Sequence, residues 1–368
     1  MKKNPKIKKN PLLFPVSLIY GAGVALRNKL FDLDILKSHE FDIPVISVGN
    51  ITIGGTGKTP HVEYLIKLLK KDFKVASLSR GYKRKSKGFH YVKTNSLVEE
   101  VGDEPLQIKL KNPDIPTAVE GNRVKGIHKL KSDHNDLNVI LLDDAFQHRY
   151  VKPGISILLI DYHLPIWEDS LLPYGRIRES WHQMKRANII IFTKCPDKIK
   201  PINRRLMIKN LNPFPYQKVF FTTFSYGKIK PVFPGVKTSL SLDTLKEEKA
   251  NILIITGIAN PRQLKKYIRG FSPRLSELKY PDHHTFSRKD LDEITRTFNN
   301  MKGKRKIMIT TEKDSVRLKN FTSLPEEIKH HLYYIPVTVK FLENSKEEFD
   351  KHVIRYAKSN KPHNILFQ

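Results

Sequence analysis

Residues 43–60, IPVISVGN followed by ITIGGTGKTP, constrain this chain more than any other stretch. The first eight form a short apolar run rich in β-branched residues, which predicts a buried strand. Beyond the glycines, Val62, Leu65, Ile66 and Leu69 recur at helical spacing. Strand, glycine loop and helix in that order are the context a phosphate-binding loop requires. Gly54, Gly55 and Gly57 let backbone N–H groups approach phosphate oxygens with no Cβ in the way, and Thr52, Ile53 and Thr56 complete the loop. Lys58 is placed to reach β- and γ-phosphates, and the Thr59 hydroxyl to ligate Mg²⁺. The generic pattern GxxxxGK[ST] opens on glycine, and Thr52 stands there instead. The competing reading is a glycine turn that caps a helix.

A phosphate loop of this kind needs an acidic strand end beside it. NVILLDDAFQHR (138–149) supplies four apolar residues and then Asp143 and Asp144, where a carboxylate can hold the metal through water. An ordinary strand-to-turn aspartate pair is the alternative. One carboxylate satisfies the metal, and that place goes to Asp143; Asp144 is counted among the candidates for binding substrate. Further strands read at 74–79, 117–120, 155–161 and 188–193, with helical patterns between several of them. The expectation is an α/β fold of the P-loop NTPase type with a doubly wound, mostly parallel sheet. Ligands in such sheets bind at the carboxyl ends of strands, where SRGY (79–82), the aspartate pair and Asp161 fall. GDEP (102–105) reads as a turn opening the next helix, with Asp103 either its N-cap or a base aimed into the cleft.

The chain has 368 residues, which predicts about two domains of roughly 150 residues each. Lysine and arginine number 66 against 37 acidic residues, a net charge of +29. That excess suits nucleic acid, an anionic membrane or a phosphorylated substrate, although an AT-rich genome inflates lysine without any partner. YKRKSKG (82–88) is a basic loop, either solvated or a clamp on a phosphorylated acceptor. The single cysteine, Cys195, excludes an internal disulfide framework and a cysteine zinc cage.

Lys2, Lys3, Lys6, Lys8 and Lys9 precede an uncharged stretch at 11–26, PLLFPVSLIYGAGVAL. It falls short of the roughly 20 residues that a spanning helix needs, and Pro15 interrupts it. A signal peptide and a helix packed on the protein body are alternatives. The preferred reading is an apolar helix running to about residue 36 on a bilayer surface. Its lysines would meet headgroups while Leu12, Leu13, Phe14, Leu18, Ile19 and Tyr20 enter the acyl boundary.

In the second half, a segment rich in proline and lysine at 225–250 reads as a linker after a β-like run at 217–224. ILIITGIANP (252–261) restarts strand, turn and helix, KIMITTEKD (306–314) repeats the pattern, and LYYIPVTVK (332–340) adds a late strand. The expected organisation is an N-terminal segment at 1–40, a core domain at 41–224, a linker at 225–250 and a smaller α/β domain at 251–368. DHHTF (282–286) is the most chemical stretch of the smaller domain, and Lys313 with Asp314 reads either as functional or as a surface ion pair.

SVGNITIGGTGKTP, SRGYKRKSKG, VGDEP, LLDDAFQHR, LLPYGRIRES, TGIANP, YPDHHTFS and TTEKDSVRL stand here in the order seen in tetraacyldisaccharide 4'-kinases, the lipid A 4'-kinases. The resemblance spans about residues 12–340, and threonine at the position of Thr52 is characteristic of that family. It implies transfer of the ATP γ-phosphoryl group, with Mg²⁺, to the 4'-hydroxyl of a tetraacylated glucosamine disaccharide 1-phosphate, giving lipid IVA. It also implies a monotopic enzyme on the cytoplasmic face of the bacterial inner membrane, expected to be a monomer with no nucleic-acid partner. Carried over residue by residue, it implies Asp103 as base, supported by His283, and Glu104 near the metal beside Thr59 and Asp143. Gly175, Arg176, Ile177, Arg178, Glu179 and Ser180 depart from the usual G-P-L-R-E-P, keeping only Gly175 and the arginine and glutamate.

On this reading Lys58 and the metal screen the phosphates, and Asp103 takes the sugar hydroxyl proton while His283 orients it or raises its basicity. Because Asp103 and His283 fall in different expected domains, the two units are expected to close on ATP and acceptor. Arg80, Arg123, Arg178 and the lysines of the 82–88 loop are candidates for binding the acceptor. The rival readings are a P-loop NTPase that binds nucleic acid and a membrane adaptor without acceptor phosphorylation.

Overall fold

The computed structural model describes residues 10–236, 240–303, 305–321 and 324–359, so the five N-terminal lysines lie outside the described residues. Eight strands come first: β1 (Val45–Gly49), β2 (Val75–Ser79), β3 (His90–Tyr91), β4 (Thr117–Val119), β5 (Val139–Asp143), β6 (Ile155–Asp161), β7 (Ile189–Thr193) and β8 (Lys218–Tyr226). Six follow: β9 (Lys230–Pro231), β10 (Asn251–Thr256), β11 (Leu275–Lys279), β12 (Lys306–Thr311), β13 (Leu332–Ile335) and β14 (Val337–Phe341). They form a nine-stranded sheet, β14-β8-β7-β6-β1-β5-β2-β4-β3, and a five-stranded sheet, β11-β10-β12-β13-β9.

From β8 to β4 the large sheet is parallel, with antiparallel strands at its two edges. Its central strands are near-continuous apolar runs because helices cover both faces. On one face Val62, Leu65, Ile66 and Leu69 of the helix Lys58–Leu69 pack against Ile46, Val48, Leu141 and Ile157. On the other, Ile127 and Leu130 of the helix Arg123–Asp133 cover Ala76, Leu78 and Ile140. The doubly wound expectation matches this sheet.

The boundaries of the smaller unit differ from expectation. LYYIPVTVK is two strands in two sheets: β13 runs parallel to β12, whereas β14 returns to pair antiparallel with β8. Pro336 separates them, having no N–H to give a ladder and a ring that restricts the residue before it. The last helix, Lys346–Lys358, then buries Phe349, Val353 and Tyr356 in the core of the large sheet. The expected linker also holds β9 and the helix Leu242–Glu247, whose Leu245 is fully buried. The second sheet is therefore an insertion of about residues 229–335, rather than a C-terminal unit of 251–368.

A 3-10 turn, Pro11–Leu13, leads into the helix Phe14–Asp32, four residues shorter than expected. Among the described residues, no helix is long and apolar enough to cross a membrane. The turn and the first half of the helix wear apolar residues outward: Leu12 is 82% exposed, Ile19 75% and Leu18 59%. Its polar side faces the protein, where Ser17 Oγ donates to Leu171 O and Asn28 Nδ2 to Glu179. Tyr20 departs from expectation, since its hydroxyl donates to Arg178 O at 2.7 Å and so turns to the protein body.

Candidate active site

The glycine loop leaves β1 and enters the helix Lys58–Leu69 through Gly57, which caps it at φ 91°. A side chain at Gly57 would meet the ring of Phe224 at 2.6 Å, so both conformation and space demand glycine. The first N–H groups of a helix have no partner within it and point out of its start, where the dipole also favours an anion. The departure at residues 175–180 reinforces this loop. Arg178 N donates to Ile51 O at 2.7 Å, Ile53 N to Arg176 O at 2.8 Å, and Thr52 bridges Ile177.

Lys58 is buried, its Nζ 3.5 Å from Asn50 Oδ1 and 3.5 Å from Asp144 Oδ1. Asp144 stands at φ 50°, also 3.5 Å from Arg178, just beyond the end of β5. Burial works against its ionisation, but Lys58, Arg178 and Arg123 outweigh that and hold its carboxyl below the ordinary range. Asp143 is the opposite case. Both its oxygens are buried with no hydrogen-bond partner, and burial, with Glu104 and Asp144 adding repulsion, raises its carboxyl to about 8.

Two orphaned carboxylate oxygens in the field of Lys58, at a strand paired with β1, fit a divalent cation, and the hard oxygen donors suit Mg²⁺. Thr59 is buried at the start of the same helix. Among the described residues no group of three or more His, Cys, Asp or Glu forms a metal cage. Mg²⁺ commonly takes only one or two protein carboxylates and completes its shell with phosphates and water.

Across a cleft of about 180 Å³, lined among others by Lys58, Thr59, Glu104, Phe224, Asn260 and Lys313, the second sheet meets the first. Asp103 opens the helix Asp103–Lys111, whose N-cap is Gly102 rather than Asp103 itself. Its Oδ2 lies 3.1 Å from His283 Nδ1 and 3.8 Å from Lys313 Nζ, and Arg317 Nη2 donates to it. Burial opposes its charge, but Lys313, His283 and Arg317 together hold the carboxyl well below the usual range. His283, at φ 56°, has the edge of Tyr82 against its ring. Glu104 Oε1 accepts from Lys313 Nζ at 3.0 Å, which ties it to the second sheet, while its charge still acts repulsively on Asp143.

The structure thus brings Asp103 and His283 within 3.1 Å of each other from the two expected domains. Lys313 and Asp314 are no surface ion pair: Asp314 is fully buried and Lys313 reaches across to Glu104. Arg317, unmarked in the sequence reading, is buried between Asp314 and Asp103. The only signal for it is its place one helical turn after Asp314.

The acceptor candidates separate. Arg80 is exposed beside the strand end. Arg178 sits at the phosphate loop, its Nη1 donating to Gln147 Oε1 at 3.3 Å. Arg123 is 2% exposed and donates to Glu120 O and Gly121 O, so its guanidinium is tied up by its own turn while its charge acts on Asp144 and Asp143. Burial pulls it down to about 10. In the basic loop, Arg84 donates to Ser86 and to Gly88 O and Lys85 pairs with Glu99, which leaves less free charge than the sequence suggests.

The family model for tetraacyldisaccharide-1-P 4'-kinases matches residues 9–356. A tetraacyldisaccharide 4'-kinase of Phocaeicola vulgatus is 50% identical over 356 residues, covering 96% of this chain and 97% of the relative. One of Bacteroides thetaiotaomicron is 46% identical over 361 residues, covering 96% and 95%. Among solved structures, LpxK from Aquifex aeolicus, described as in complex with ATP, aligns with a TM-score of 0.71 at 28% identity over 94% of this chain and 98% of that one.

Proposed function

The chain belongs to the tetraacyldisaccharide-1-P 4'-kinase family, and on that premise we propose that it moves the γ-phosphoryl group of ATP to the 4'-hydroxyl of a tetraacylated glucosamine disaccharide 1-phosphate. The observation that carries the reading is the pairing of two half-sites at one cleft. Lys58 and Thr59 line it from the phosphate loop, beside the orphaned Asp143, while Glu104 and Lys313 line it too, next to the Asp103–His283 pair.

Phosphoryl transfer asks little covalent chemistry of a protein and much positioning. The loop N–H groups and Lys58 hold the β- and γ-phosphates. Thr59 and Asp143, with Glu104 near, would hold Mg²⁺, which neutralises charge developing on the transferred group. Asp103 accepts the hydrogen bond of the sugar hydroxyl and then its proton, orienting the attacking oxygen in line. Asp144 and Arg178 hold Lys58 and the loop in place, and Arg80 and Arg178 are the cations left to meet the acceptor. The P-loop core comprises residues 41–226 and 337–358, the insertion supplying His283.

The outward apolar face of the N-terminal helix supports docking on a membrane surface, at the cytoplasmic side where ATP is available. Incubation with γ-labelled ATP, Mg²⁺ and tetraacyldisaccharide 1-phosphate in mixed micelles tests the proposal. Label should pass to the lipid with the native chain and not with Asp103→Ala. Nucleotide hydrolysis with no labelled lipid would reject the acceptor and return an adaptor or nucleic-acid role.

A further inference from the structure

The helix Glu312–Leu318 sends two cations across the boundary onto one proposed catalytic carboxylate. Their hydrogen bonds fix more than proximity. Lys313 Nζ stands 3.0 Å from His283 Nε2 and 3.0 Å from Glu104 Oε1. An ammonium group has donors and no acceptor, so Nε2 in that pair must offer its lone pair. The imidazole proton is then on Nδ1, which lies 3.1 Å from Asp103 Oδ2 and donates to it. Arg317 Nη2 is donor-only as well and lies 3.4 Å from the same Nδ1, but its hydrogen goes to the much nearer Asp103 Oδ2, so it does not compete for Nδ1. Were Nε2 protonated as well, two donors would face each other at 3.0 Å.

Arg317 is held in turn. Its Nη1 donates to Asp314 Oδ1 at 2.8 Å, and Asp314 Oδ2 accepts from Gly257 N at 2.9 Å and Thr311 Oγ1 at 2.7 Å. Asp314 is fully buried and Arg317 6% exposed, so the guanidinium has one orientation. Every cross-boundary donor converges on Oδ2 of Asp103. Oδ1 accepts from Glu104 N at 2.9 Å and retains a lone pair.

The geometry assigns Lys313 and Arg317 as positioning residues for phosphoryl transfer: Lys313 locks His283 in the Nδ1–H tautomer, making it a hydrogen-bond donor to Asp103 and not a proton acceptor, and Arg317 fixes Oδ2 so that Oδ1 meets the acceptor hydroxyl. This deepens the kinase reading and rests on it. It reverses one expectation, since a histidine locked this way orients Asp103 and does not raise its basicity.

The full-length protein with ¹⁵N-labelled histidine tests the lock directly by two-dimensional ¹⁵N–¹H NMR, with His283→Gln identifying the signal. The native chain should show His283 with a protonated Nδ1 and a bare Nε2, and Lys313→Met should shift it toward the Nε2–H form. In the micelle assay Lys313→Met should lose kcat on the order of 10²-fold, with KM for ATP little changed, and Lys313→Arg, which keeps a donor, should recover part of the loss. An Nε2–H tautomer or an imidazolium in the native chain overturns the assignment. So does a Lys313→Met protein that keeps the native tautomer and kcat. Should Lys313→Met not fold, the native spectrum alone decides. The spectrum needs no acceptor lipid, so a failed kinase assay with an Nδ1–H histidine would reject the proposed function and leave the lock standing.

Discussion

The hydroxyl of Tyr356, near the end of the last helix, accepts from Val45 N at 3.1 Å at the very start of β1. Residues 311 apart in sequence are thus locked together beneath the strand that feeds the phosphate loop. Tyr356→Phe should lower stability by about 1–2 kcal/mol, because a buried backbone donor loses its partner. Gly154→Ala should cost about 1–3 kcal/mol by forcing a methyl group into the Tyr356 ring. Urea denaturation of the two variants checks both; wild-type midpoints would disprove the link.

Asp103→Asn keeps the size of the side chain and removes the proton acceptor. Label transfer should fall by roughly 10²–10⁴-fold while nucleotide affinity stays at the native value. A matching loss of nucleotide affinity would mean that Asp103 serves the phosphate loop instead.

Gly57→Ala should weaken ATP binding severely. The left-handed backbone there costs an alanine about 1–2 kcal/mol, and the new methyl group strikes Phe224. Calorimetric titration with ATP gives the answer, and native affinity would show that the loop can relax.

His61 and Glu63, two residues apart on the phosphate-loop helix, push the pH dependence of stability in opposite directions. Burial lowers His61 to about 4, so between 4 and 6.5 the unfolded chain binds a proton that the native one refuses. Stability from this group therefore rises with pH across that window. Burial, aided by Glu312 and opposed by Lys111, raises Glu63 to about 7 from 4.5, so there the native chain holds the extra proton and stability falls as pH rises. Relative to the native chain, His61→Gln should tilt the stability–pH curve downward from pH 4 to 6.5, and Glu63→Gln upward from 4.5 to 7. Urea midpoints across that range that do not tilt in opposite senses would refute the assignment.

Leu18→Asp with Ile19→Asp alters two residues that are 59% and 75% exposed, so folding stability should change by less than about 0.5 kcal/mol. Flotation with anionic vesicles should nonetheless show lost membrane association. Unchanged flotation would place membrane contact elsewhere.

The phosphate loop, the central strands and Asp143 at a strand end were legible because each is a local pattern: alternation, run length or glycine spacing over a few residues. Asp103 and Asp143 could be named as site candidates for the same reason. The roles of Lys313 and Arg317 were hidden because the partners they reach across the boundary, Glu104 and Asp103, lie 209 and 214 residues away, where no local period carries a signal. LYYIPVTVK misled through its own regularity, since alternation says that a strand exists and not which sheet receives it. Pro336 was the one available hint. The inward turn of Tyr20 was likewise invisible, because an aromatic with a hydroxyl suits a lipid interface and a buried carbonyl equally.

The chain passes between the two sheets twice, once after β8 and once at Pro336, and Gly227 N donates to Pro336 O at 2.9 Å where the crossings run side by side. Two adjacent covalent attachments behave as the leaves of a hinge. They restrain sliding and twisting of the insertion more than a swing about a line through Gly227 and Pro336. The ion pairs of Lys313, Arg317 and Lys111 with Glu104, Asp103 and Glu312 act as its clasp. Parting that clasp would carry His283 and Arg317 away from Asp103 together, so the integrity of the proposed base is tied to the seating of the whole insertion.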